Sequence, residues 1–267
     1  MIHPSAVIDA GAELAPDVEI GPGVILESDV KIGAGTIIGP HVTIKRYTEI
    51  GANCRIESGS VLGGEPQDFK FHGERSFLKI GDNNKIREFV TIHRASGEDR
   101  ATQIGDSNMI MAYCHIGHNC LLGDNITMAN MVGISGHAVV EDRVVFGGMV
   151  GIHQFVRFGK LAMVGGFSKV VQDVPPFMMA DGRPTRVYGL NVLGLRRAGV
   201  PTATRSGLKQ AYKYIYRSDM NLSQAIEAIE GDVEPSAERD YLLEFLHNVR
   251  LGFGGRQLDP NRPKTGE

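Results

Sequence analysis

The chain has 267 residues, 42% of them hydrophobic and 22% charged, with a formal net charge of −3. That composition excludes a natively disordered chain, argues against general nucleic-acid affinity, and allows one large domain or two modest ones. Thirty-four glycines and no tryptophan fit a fold of many tight turns around a narrow interior, and three scattered cysteines, Cys54, Cys114 and Cys120, do not make a disulfide framework.

The N-terminal stretch MIHPSAVIDAGAEL lacks a basic segment followed by a long apolar run. No other stretch approaches the length of a membrane span, so a cytoplasmic protein without a transmembrane segment is expected. An apolar ladder starts at once, with Ile2, Ile8, Leu14, Ile20, Leu26, Ile32, Ile38, Ile44, Ile50, Ile56 and Leu62 recurring at every sixth position. A helix returns its apolar face every three or four residues and a half-buried strand every two, so sustained sixes predict a stacked repeat. The hexapeptide β-helix fits best: each unit gives one short strand and one turn, and three units close a triangular coil of eighteen residues. Small or β-branched residues four after the rungs (Val18, Val24, Val30, Thr36, Val42, Thr48, Cys54, Ser60) supply a second inward position, and glycines such as Gly21, Gly33 and Gly51 mark the turns.

Only Asp68, Glu74 and Glu98 break the ladder before Val170. They mark two polar excursions, within 63–78 and 94–101. Charged loops leaving a rigid scaffold are candidates for substrate contact. From Ile104 the rungs continue through Ile110, Ile116, Leu122, Met128, Ile134, Val140, Phe146, Ile152, Phe158 and Val164. Residues eighteen apart then stack, one coil above another, at about 4.8 Å. His118, Gly136 and Gln154 therefore form a column. A histidine with a glycine one coil above offers a general base beside a backbone N–H that a ligand can approach closely, which is what acyl transfer needs. His93, His115, His137 and His153 surround that column, so it is the candidate active site.

The ladder is expected to stop at QDVPPF, where Pro175 and Pro176 remove two backbone donors. Helices are predicted over 191–199, 204–217, 221–229 and 236–251. The expected organisation is mainly β: a parallel β-helix over 1–185, a small C-terminal helical domain over 186–255, and a flexible tail over 256–267.

The motifs QDFK (67–70), IREFVTIHR (86–94), HIGHNC (115–120), SGH (135–137), GIHQF (151–155), GG (165–166), QDVPPF (172–177) and GLNVLGLRR (189–197), in that order and over nearly the whole chain, resemble those of the acyl-ACP:UDP-N-acetylglucosamine O-acyltransferases that open lipid A synthesis. The resemblance implies a left-handed β-helix, a handedness that periodicity alone does not select. It also implies a homotrimer with sites between subunits, acyl carrier protein as acyl donor, UDP-N-acetylglucosamine as acceptor, and no metal or organic cofactor. By position, His118 is the general base and Gly136 the oxyanion-hole donor. Gln67, Asp68 and Lys70 resemble sugar contacts, His93, His115, His137, His153 and Gln154 substrate-pocket residues, and Asn191 and Arg197 nucleotide contacts. Met163 and Gly166 resemble the acyl groove. An unblocked glycine there implies a longer hydroxyacyl chain, on the order of fourteen carbons, each buried methylene adding about 0.8 kcal/mol. Two positions depart from the family pattern: Asn119 stands where members often carry aspartate, and Leu193 where several carry glutamate. Arg205, Lys209 and Lys213, with Arg196 and Arg197 before them, form a basic stripe suited to an acidic carrier protein.

Three other functions have requirements of their own. A hexapeptide-fold zinc enzyme of the carbonic anhydrase type needs convergent histidine nitrogens, and its two sequence-adjacent ligands are five apart, whereas His115 and His118 are three apart. The UDP-3-O-acylglucosamine N-acyltransferase carries an additional N-terminal domain, which a ladder beginning at Ile2 leaves no room for. A non-catalytic scaffold would not need the histidine cluster. The spacing does not decide between a 3-hydroxyl and a 3-amino acceptor sugar.

Overall fold

A computed structural model of the chain describes residues 1–252 together with 255 and 256. From Val7 to Val170 the chain makes short parallel strands, most of two residues, that sort in strict rotation into three sheets of nine, eight and eight strands, the last of which grows to ten with two later strands. The coils wind as a left-handed parallel β-helix. Isoleucine rungs such as Ile38, Ile56, Ile86 and Ile110 are fully buried, and the second inward positions, from Val18 to Ser60, are buried with them. Alternate residues of each strand point outward, so every face of the prism has an outward column running the length of the molecule.

The two excursions account for the broken rungs. Leu62 pairs with Ile92, thirty residues on, and Ile80 with Ile104, twenty-four on, where an uninterrupted coil pairs residues eighteen apart, as in Ile116 with Ile134. Two rungs, Asp68 and Glu74, are spent in the first loop, and one, Glu98, in the second. Both loops leave the same edge, the corner between the nine- and eight-stranded sheets. We call this the first corner, and those leading to the ten-stranded sheet and back again the second and third.

The second corner carries a column of stacked aspartates. Asp82, Asp106, Asp124 and Asp142 each accept, through Oδ1, a backbone N–H from the preceding coil: from Ala52, Asp82, Asp106 and Asp124, at 2.7, 2.7, 2.7 and 3.0 Å. Each carboxylate lies where a Cβ would stand on Gly51, Gly81, Gly105 or Gly123, so those four positions admit only glycine without a rearrangement. Inside the same corner, Asn84 and Asn108 are buried and continue the pattern: Asn84 Oδ1 accepts from Asn108 N, and Asn108 Oδ1 from Ile126 N.

The ladder does not end at the prolines. Val174 still bridges Phe158, and after Pro175 and Pro176 the strand Met178–Asp181 joins the ten-stranded sheet, Met179 pairing with Met163 only sixteen residues earlier. The prolines occupy the bend instead of a strand, where their missing N–H groups cost nothing. An antiparallel strand, Arg186–Leu190, then closes that sheet. Four helices follow, α1 (Val192–Arg197), α2 (Thr202–Tyr216), α3 (Leu222–Asp232) and α4 (Ala237–Arg250). Asn221 with Gln224 forms a capping box on α3, and the Ser236 side chain accepts the Arg239 N–H to start α4. Leu208, Ala211, Ile215, Ile226, Ile229, Leu242 and Leu246 bury the shared face. Tyr241 of α4 donates to Glu141 Oε2 at 2.6 Å, fastening the helices to the prism. Among the described residues no helix is long and apolar enough to cross a membrane. Of the expected tail, residues 257–267 lie outside the described residues. Arg256 is held in place, its N–H on both Asp173 carboxylate oxygens and its Nε on the Val171 carbonyl, all at 2.9 Å.

Candidate active site

His118 lies at the first corner, on the coil directly beyond the two excursions, and is 8% exposed. The corner residue after it, Asn119, is left-handed at φ 59, a conformation asparagine tolerates better than most side chains. Its Oδ1 lies 2.8 Å from His118 Nδ1. One coil on, a Cβ built on Gly136 would sit 2.7 Å from His118 Nε2, so the ring edge faces the bare α-carbon of that glycine. Ser135 and His137 on either side donate their N–H groups to Ile152 and His118 carbonyls, while the Gly136 N–H meets no acceptor among the described residues. His118 Nε2 and the Gly136 N–H are thus two unengaged polar groups side by side.

They open onto a cleft of about 490 Å³ that Gln67, His93, His115, His153, Gln154 and Lys169 also line. Its floor is the outward column of the nine-stranded sheet, in which Thr91, His115, Gly133, Gly151 and Lys169 stack in register. A Cβ on Gly133 or Gly151 would meet nothing within 4 Å, so these glycines are demanded neither by backbone conformation nor by packing, and what they leave is room. Burial holds three of the histidines here, His93, His115 and His137, toward their neutral forms. Burial, then the neighbouring His115 and His118, lower His93 to about 4. Burial first and His118 second lower His115, whose Nδ1 is 2.8 Å from Thr91 Oγ1. His137 is lowered by burial first; its ring stacks on Phe155 at 4.7 Å and meets His118 edge-on at 5.1 Å. The buried Nδ1 of His93 has no hydrogen-bond partner. Among the described residues, no group of three or more His, Cys, Asp or Glu side chains is disposed to hold a metal ion.

A family model described as "Udp N-acetylglucosamine O-acyltransferase; Domain 2" matches residues 173–253, and one for the bacterial transferase hexapeptide matches 11–46, 29–64 and 101–136. Curated relatives named acyl-[acyl-carrier-protein]–UDP-N-acetylglucosamine O-acyltransferase include those of Thiobacillus denitrificans, 49% identical over 94% of this chain and 98% of its own, and Verminephrobacter eiseniae, 49% identical over 91% and 94%. The chain belongs to the UDP-N-acetylglucosamine O-acyltransferase family. Among solved structures of the family, that of Acinetobacter baumannii LpxA superposes with a TM-score of 0.91 at 40% identity, covering 96% of this chain and 98% of that one. The Bacteroides fragilis LpxA gives 0.92 at 35%, covering 97% and 100%.

In this family member the expected site residues fall into two groups. His118, Gly136, His93, His115, His153, Gln154 and Gln67 share the cleft, and His137 adjoins it. Asp68 stands near them in the first loop, its carboxyl held below the usual range by the Lys70 backbone N–H first, with Ser96 and His118 contributing. Lys70 is exposed and meets Asp68 through its N–H, not its ammonium. The remaining four do not line the cleft. Asn191 caps α1, its Oδ1 accepting from Gly194 N and its Nδ2 donating to the Leu161 carbonyl, which leaves its amide committed. Arg197 is exposed in the last turn of α1. Met163 lies in the ten-stranded sheet and Gly166 at the third corner. Reading only the His118 column missed Gly133, Gly151 and Lys169, although the same count of eighteen from His115 leads to all three. Ser96 was missed as well, because nothing periodic governs a loop.

Proposed function

We propose that this chain transfers a 3-hydroxyacyl group from acyl carrier protein to the 3-position of UDP-N-acetylglucosamine, the first step of lipid A biosynthesis. The observation that carries the proposal is the pairing of an unengaged imidazole nitrogen with an unengaged backbone N–H at one corner, in a chain that matches this family along nearly its whole length. His118 Nε2 takes the proton of the sugar 3-hydroxyl as its oxygen attacks the thioester carbonyl carbon. The carbonyl π electrons move to oxygen, and the Gly136 N–H donates to the resulting oxyanion. Collapse re-forms the carbonyl, breaks the carbon–sulfur bond and leaves the carrier's thiolate, which takes the proton from His118. His93 and His115, which burial holds toward the neutral form, give the sugar hydrogen-bonding partners. Gln67 and Asp68 reach the same opening from the first loop.

A homotrimer is the assembly we infer. The cleft is open on one side, and the third corner bordering its floor presents Phe89, Tyr113, Met131, Met149 and Phe167, 51%, 55%, 48%, 45% and 60% exposed. An apolar ridge of that length is suited to burial against another subunit, which can bring Asn191 and Arg197 of one chain toward the cleft of the next and complete the acyl groove past Met163 and Gly166. The basic face offered to the carrier is narrower than the stripe suggests. Arg205 turns back to Val200 O and Thr202 Oγ1, leaving Lys209 and Lys213 exposed. The test is mass spectrometry of the product formed from 3-hydroxyacyl carrier protein and UDP-N-acetylglucosamine, with the 3-amino sugar as comparison. An O-acylated UDP-sugar is expected. Product formed only from the 3-amino sugar would reassign the acceptor, and no acyl transfer to either would overturn the reading.

A further inference from the structure

The role of the second excursion is visible in how it grips Asn119. The Ser96 N–H donates to Asn119 Oδ1 at 2.9 Å, and Asn119 Nδ2 donates to the Ser96 carbonyl at 3.0 Å. A flipped amide would set NH₂ against N–H and oxygen against oxygen, so these two bonds allow one orientation. Asn119 N also donates to Thr102 Oγ1 at 2.8 Å, fixing the backbone from which the amide projects. The oxygen so aimed is the atom 2.8 Å from His118 Nδ1. An amide oxygen has no proton to give, so Nδ1 carries the hydrogen, and in the neutral ring the lone pair then lies on Nε2, beside Gly136. The Ser96 loop is itself braced, since the Gly97 N–H donates to Glu74 Oε1 of the first excursion at 2.8 Å.

We propose that Asn119, clamped by the backbone of Ser96, is a positioning residue that locks His118 in the Nδ1–H tautomer, and that the 94–101 loop exists in this chain to hold that clamp. The proposal rests on His118 being the general base. A carboxylate at this position would orient the ring by charge as well; the amide does so by direction alone, and it therefore needs the second contact on Ser96 that determines which of its ends faces the ring. It also leaves Nδ1 of the base without a formally negative partner. The charged and titratable groups around His118 are then Asp68 from the first loop, His93 and His115 from the nine-stranded sheet, and His137 from the next coil, with His153 and Lys169 lining the same cleft.

The experiment is nitrogen NMR of the full-length protein labelled with ¹⁵N-histidine, the His118 signals being those missing from His118→Ala. Wild type in its neutral form should show a pyrrole-type Nδ1 and a pyridine-type Nε2. The reverse pattern, or an even mixture, overturns the proposal without recourse to any variant. Asn119→Ala should mix the two tautomers and lower kcat about tenfold or more while both KM values stay within about twofold, because a misdirected base loses part of its general-base contribution of about 10²–10⁴. Asn119→Asp should move the acidic limb of kcat/KM upward by about one pH unit or more, since an adjacent carboxylate favours imidazolium. An Asn119→Ala enzyme with unchanged kcat, or an Asn119→Asp limb that does not move, overturns the positioning role. Should His118→Ala instead remain active while the wild-type tautomer is as stated, the general-base reading fails and the clamp stands.

Discussion

The first and second corners of the prism are built by the same repeat and carry columns of polar residues at the same spacing, yet they end in opposite states. In the second corner every aspartate from Asp82 to Asp142 spends an oxygen on the coil before it. In the first, His118 Nε2 and the Gly136 N–H face each other's surroundings without a partner. A repeating scaffold makes the contrast informative, because local geometry is held constant and only the use of the polar groups differs. Groups that satisfy one another along the column hold coils together, and groups left over are available to a substrate.

The widest separation between the corners is expected from His118→Ala. Turnover should fall by about 10²–10⁴-fold, with the urea midpoint nearly unchanged because the ring carries no rung of the core. A variant retaining a tenth of wild-type kcat would erase the distinction. Next comes Gly136→Ala. Its methyl would lie 2.7 Å from His118 Nε2 and 2.8 Å from Cε1, so the damage is done to the base itself, not only to the thioester's path. Displacing a reacting group by an ångström costs about 10²-fold, and a loss of that size in kcat with little change in either KM is expected. Full activity would show that the ring has slack. Asp106→Ala tests the other column: the Asp82 N–H loses its acceptor, stability should drop by about 0.5–1.5 kcal/mol in urea titration, and kcat should be unchanged. A fall in kcat would mean that the second corner reaches the chemistry.

The last difference is read in stability against pH, through the acid sensitivity of the cleft. His93 is held near 4 in the folded protein and titrates at about 6.5 when unfolded. The unfolded chain therefore binds more protons between those values, so the contribution of neutral His93 to stability is complete above about 6.5 and is lost as pH falls through about 4. His115 and His137, lowered as well, act in the same direction. His93→Gln should flatten the pH dependence of the urea midpoint over that window, and an unaltered slope would place the acid sensitivity elsewhere.

Stacking turned sequence position into spatial position wherever the count of eighteen held, and there the reading needed no side-chain detail. His118, Gly136 and Gln154, the buried rungs and the two excursions are where arithmetic puts them. Legibility ends with the regularity. The Ser96 clamp depends on the path of a loop that leaves the coil. The strand after Pro176 re-enters sixteen residues from its partner, so it is invisible to a count of eighteen. Asn191 and Arg197 belong to a part of the chain with no column at all, and they do not line the cleft.

The three thiols point to a last consequence, for how the acyl group travels. Cys54, Cys114 and Cys120 are all buried and free, and burial pushes Cys114 up to about 11 and Cys120 to about 12, with Cys54 raised as well. Cys120 is two residues from His118, yet its Sγ points to the Ser135 carbonyl at 3.3 Å. The species that attacks a thioester is a thiolate, and this chain keeps none where an incoming donor could meet it. No cysteine here competes with the sugar by taking the acyl group onto itself, so a thiol-blocking reagent should leave turnover of the folded enzyme unchanged, and no acyl group should be found on a cysteine after incubation with the donor alone.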